Sequence, residues 1–61
     1  MIKSAVFYVY PEGTKDRKNH GYSNIQQALA ALERILKTLK DTGKTVIFYN
    51  VRQGERKEFK A

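Results

Sequence analysis

The chain alternates short apolar runs with one long amphipathic stretch, and turn-forming residues mark each break. From Lys3 to Tyr10 (KSAVFYVY), β-branched and aromatic residues dominate, and the run stops at Pro11, which has no amide proton to give to a ladder. A first strand is expected over 3–10, with Ala5, Phe7 and Val9 on one face and Val6, Tyr8 and Tyr10 on the other. From Pro11 to Gly21 the sequence PEGTKDRKNHG has no apolar residue beyond the proline. Residues 11–22 are therefore read as an exposed basic loop, long for a strand-to-helix connection.

Ser23 and Gln26 have the spacing of a capping box, so a helix is expected from here, over 23–42. Ile25, Ala28, Leu29, Leu32, Ile35, Leu36 and Leu39 recur at steps of three and four and form one apolar stripe. Glu33 and Lys37 make an i,i+4 pair on the polar side, and Gly43 is placed to supply the left-handed residue after the last turn. The stripe is too short for a coiled coil and reads as a core face.

Two further strands are expected over 45–52 and 55–60, with Gln53 and Gly54 as a two-residue turn between them. In that register Phe48 stands opposite Phe59, and Val46, Phe48 and Phe59 share the face that meets the helix. The fold class expected is α+β: a small β-α-β-β domain whose three-stranded sheet has the order 1-2-3. The helix forms a right-handed crossover between parallel strands 1 and 2, and strand 3 is a charged antiparallel edge.

This arrangement leaves Val6, Tyr8, Tyr10, Ile47, Tyr49 and Val51 on the sheet face away from the single helix. Apolar patches of this kind are uncommon on monomers. Three occupants fit: a second copy of the chain, another protein, or nucleotide bases stacked on the tyrosines. Size sharpens the point, because at 61 residues the chain holds one domain, 1–61, with one small core. With no cysteine and one histidine it has neither disulfides nor the ligands of a structural zinc site, which leaves self-association as the natural staple.

Twelve Lys+Arg against six Asp+Glu give a formal charge of +6. That bias favours an anionic partner, although basic composition also serves solubility alone. The candidate phosphate contacts are Lys15, Arg17 and Lys18 in the loop and Arg52, Arg56, Lys57 and Lys60 on the hairpin. The N-terminal apolar run is too short for a signal peptide, and no stretch approaches a membrane span. The chain is expected to be complete, soluble and cytoplasmic.

No catalytic residues, metal ligands or cofactors are assigned. His20 is the only histidine, Glu12 and Asp16 lie among lysines with nothing to raise their pKa, and the four glycines match no phosphate-cradling pattern. In length and outline the chain resembles the tautomerases, small β-α-β-β enzymes that work as oligomers, but Ile2 stands where that family has its N-terminal proline. Its tyrosines and basic residues are similar in kind to those of RNA-recognition modules, without their glycine-aromatic signature. The expected function is that of a small, homodimeric, regulatory binding protein, of the kind carried by phages or mobile elements, which engages nucleic acid or an acidic protein. The alternative is a protein–protein module, an inhibitor or adaptor that uses the second sheet face.

Overall fold

The computed structural model describes residues 5–61, so Lys3 and Ser4, placed in the first strand by the sequence, lie outside the described residues. Strand β1 covers Phe7–Pro11, β2 Gly21–Tyr22, helix α1 Ile25–Thr38, β3 Thr45–Asn50 and β4 Glu55–Lys60. The four strands form one sheet in the order β2-β1-β3-β4, and every neighbouring pair is antiparallel. This corrects the expected three-stranded sheet with strands 1 and 2 parallel.

The reason lies in the segment after β1. Thr14 donates to the Pro11 carbonyl through both its amide and its hydroxyl, at 3.2 and 2.7 Å, and starts to turn the chain. A 3-10 turn over Arg17–His20 follows, and Gly21–Tyr22 then pairs back along β1, with Tyr22 opposite Phe7 and Gly21 opposite Tyr8. The supposed loop is therefore a broad hairpin that returns the chain to where β1 began. A helix starting there runs along β1 and delivers β3 at its far end, where Glu12 N–H donates to the Thr45 carbonyl at 2.8 Å. From that end β3 can only run back, antiparallel to β1.

Helix α1 is shorter than expected at both ends. Its N-cap is Asn24, whose Oδ1 accepts from the Gln26 amide at 2.7 Å, so the Ser23–Gln26 capping box is replaced by an asparagine cap one residue later. At the other end Leu39 caps the last turn, and Asp41, with φ of 67°, takes the left-handed conformation before Gly43 does at 75°. The β3–β4 turn spans four residues, Val51–Gly54, because Asn50 pairs with Glu55. Asn50 Oδ1 accepts from the Gln53 amide at 3.3 Å, and Gly54, with φ of 62°, completes the turn. Phe59 consequently stands opposite Val46, and Phe48 opposite Lys57, a shift of two residues that leaves each side chain on its expected face.

The core lies between α1 and one face of the sheet. Val9, Ala28, Leu32, Val46 and Phe48 are buried, and Phe7, Tyr22, Ile35, Leu36, Leu39 and Phe59 pack around them. The Phe7 and Phe48 rings meet at 5.6 Å, tilted by 51°. Ile25 and Leu29, at the start of the apolar stripe, remain 46% exposed. No helix among the described residues is long and apolar enough to cross a membrane.

Candidate functional site

The face of the sheet turned away from α1 is only half open. Ile47 is fully buried and Tyr10 is 8% exposed although no helix covers them. Their cover is the chain's own segment between β1 and β2, whose 3-10 turn packs on β1 and brings the Arg17 guanidinium to 6.0 Å from the centre of the Tyr10 ring. The loop expected to stand free in solvent thus closes one half of this face. The exposed apolar patch expected on the sheet shrinks accordingly.

Between this segment and the other half of the face lies an open concavity of about 580 Å³, lined by Tyr8, Tyr10, Tyr49, Val51, Lys15, Asp16, Arg17 and Lys18. Strand pairing sets its floor. Tyr8 stands opposite Tyr49, with Gly21 beside Tyr8 on β2 and Arg56 beside Tyr49 on β4. Gly21 is in ordinary extended conformation, but a Cβ there would fall 2.7 Å from the Ala5 Cβ and 3.2 Å from Tyr8 Cε2. Its missing side chain lets β2 close on β1, and the space is taken by the Ala5 methyl and the edge of the Tyr8 ring.

Three cations and one carboxylate line the walls. Asp16 is engaged within its own turn: the Asn19 amide donates to its Oδ2 at 3.1 Å, and His20 Nε2 lies 4.0 Å from its Oδ1. The Asn19 hydrogen bond chiefly, with its own backbone amide and His20 adding, holds Asp16 below the usual carboxylate pKa. No ion pair within 4.0 Å involves Lys15, Arg17 or Lys18 among the described residues. The concavity therefore presents aromatic faces below and positive charge beside them, which suits a ligand that is planar and anionic.

Of the residues singled out in the sequence, Lys15, Arg17, Lys18, Tyr8, Tyr10, Tyr49 and Val51 come together here. Arg56 and Lys60 share the sheet face, and Arg56 pairs with Glu58 at 3.8 Å. Lys57 does not join them: it stands opposite Phe48 on the helix side and lies 4.0 Å from Glu55. Arg52 is also elsewhere, in the β3–β4 turn, where it lines a smaller hollow of about 340 Å³ with Val6, Ile25 and Gln53. Ile47, expected at an interface, is interior.

Gly21 and Asn19 are the residues that sequence reasoning missed as parts of the site. The unusual length of the connection was the available signal, since a segment too long for a simple loop has room to form a strand of its own. Comparison with protein-family models, with curated proteins and with solved structures returns no match.

Proposed function

We propose that this is a small basic nucleic-acid-binding protein, without catalytic activity, that uses the concavity as its binding site. One observation carries the reading: Tyr8 and Tyr49 form a partly exposed aromatic floor beside Lys15, Arg17 and Lys18, cations with no carboxylate within 4.0 Å among the described residues. Aromatic rings give every base a stacking surface, and the cations give the backbone phosphates their counter-charge. A permanent protein–protein interface on this face has less to recommend it, because the most apolar part of the face, Tyr10 and Ile47, is already covered from within the chain.

A titration of labelled single-stranded oligonucleotides against salt tests the proposal. For single strands, log K falls against log salt with a slope of about −0.7 per neutralised phosphate. Arg17→Ala and Lys18→Ala should each make the slope shallower by about 0.7, whereas Lys37→Ala on the outer side of α1 should leave it unchanged. Equal responses from all three variants, or no binding at about 0.15 M salt, would contradict the proposal.

A further inference from the structure

We infer that the concavity is a two-nucleotide site for unpaired bases, with one base on Tyr8, the next on Tyr49, and the strand crossing the sheet toward Arg56. This rests on the nucleic-acid reading above. The row Gly21, Tyr8, Tyr49, Arg56 runs straight across all four strands, since each residue is the register partner of the next. Tyr8 and Tyr49 are direct cross-strand neighbours, and the edge of the Tyr8 ring reaches over Gly21 on β2, so the Tyr8 ring spreads along the floor away from Tyr49. Two bases can lie flat on such a floor only if each turns a face away from its own neighbours. In a duplex those faces are hidden in the helical stack, and stacking on protein aromatics is a property of splayed single strands.

The site has two positions because the third tyrosine is taken. Tyr10 is buried, and the Arg17 guanidinium sits over its ring. The same segment that removes Tyr10 from the floor places Lys15 and Lys18 on its wall, where a phosphate linking the two bases would find them. At the opposite end Arg56 pairs, among the described residues, with Glu58 alone, at 3.8 Å with both side chains more than half exposed, and can turn to the next phosphate. On the β2 side the floor ends at Gly21, whose missing side chain leaves room for the edge of the Tyr8 ring and the Ala5 methyl. A volume of about 580 Å³ is on the scale of a small-ligand pocket and accommodates a short stretch of strand.

The test is a length series of oligothymidylates, from one to six nucleotides, competing with a labelled single strand at fixed salt, beside a duplex of mixed sequence and each of its strands. Stacking one base is expected to raise affinity about 5- to 150-fold. Affinity should rise by that factor from one nucleotide to two, gain a smaller, salt-sensitive step at three as Arg56 meets the next phosphate, then level off apart from the small gain from extra binding registers. Tyr8→Ala and Tyr49→Ala should each remove most of the second-nucleotide gain, Tyr8→Phe and Tyr49→Phe should keep it, and the duplex should bind more weakly than its strands. If an alanine variant fails to fold, the length series on the unaltered protein decides the matter. A steady rise with length and no break at two, or a duplex bound as tightly as its strands, overturns the two-nucleotide site and leaves a general phosphate-binding surface. Absence of binding by every oligonucleotide overturns the nucleic-acid reading as well.

Discussion

Tyr8 on β1 stands directly opposite Tyr49 on β3, and the next pair along the same two strands, Val9 and Phe48, points the other way into the core. One register thus sets both the aromatic floor and the hydrophobic interior. A one-residue slip would exchange them, sending tyrosine hydroxyls inward and valine and phenylalanine into the concavity. Burial of Val9 and Phe48 beneath α1 therefore holds the site in place without touching it.

The helix packing makes a graded prediction. Leu32 is 6% exposed and Leu29 is 46% exposed, although both belong to the same apolar stripe. Leu32→Ala should destabilise by about 2–5 kcal/mol, through lost burial and the cavity left behind, and Leu29→Ala by much less. Urea titrations of the two variants check this, and equal losses would show that the buried side of α1 is misplaced.

Gly21→Ala tests the return strand. The backbone at Gly21 accommodates alanine, with φ of −87° and ψ of 144°, so any penalty comes from the contact of the new methyl with Ala5 and Tyr8. A loss of about 1–3 kcal/mol is expected, the usual range for overpacking, together with a changed environment for Tyr8 seen by near-ultraviolet circular dichroism. A substitution as silent as one on an exposed loop would mean that β2 does not pair with β1.

The existence of β1, α1, β3 and β4 was legible because each carries a strong pattern: alternating aromatics, a stripe of leucines, a β-branched run and an alternation of charge. β2 was not, because it has only two residues, Gly21 and Tyr22, and sits between a polar tract and a helix cap. Missing it reversed the relation of β1 to β3, since the direction of β3 depends on which end of β1 the helix starts from. The turn register was misread for a local reason, the Asn50 side chain accepting from Gln53, which moves the paired residues apart without disturbing the faces. The aromatic residues of the site followed from alternation alone. Lys15, Arg17 and Lys18 were candidates from charge alone, but the wall they make beside the tyrosines depends on the hairpin that β2 closes.

At the helix start, Asn24→Ala should cost about 1 kcal/mol, because the Gln26 amide loses its acceptor. Ser23→Ala should cost little. Thermal melts of the pair distinguish the asparagine cap from a serine capping box, which would give the opposite order.

The loop that walls the site has an acid-sensitive contact. Asp16 titrates below its ordinary value of 3.8, chiefly because Asn19 donates to it. A lowered folded-state pKa means that the contact supports the turn fully above the ordinary value and is lost as pH falls through the lower, folded one. Carboxyl-carbon NMR should place the Asp16 midpoint below 3.8, and Asn19→Ala should move it upward. An unchanged midpoint in the variant would show that Asn19 does not hold the carboxylate.

The central claim, that single-stranded nucleic acid enters the concavity, is tested most directly by backbone amide NMR during titration with a short oligothymidylate at about 0.15 M salt. The account predicts shift changes concentrated at Tyr8, Lys15 to Lys18, Gly21, Tyr49 and Arg56, with Gln27, Arg34 and Lys37 on the outer side of α1 undisturbed. Changes centred on the helix, spread evenly over the basic surface, or absent altogether would contradict it.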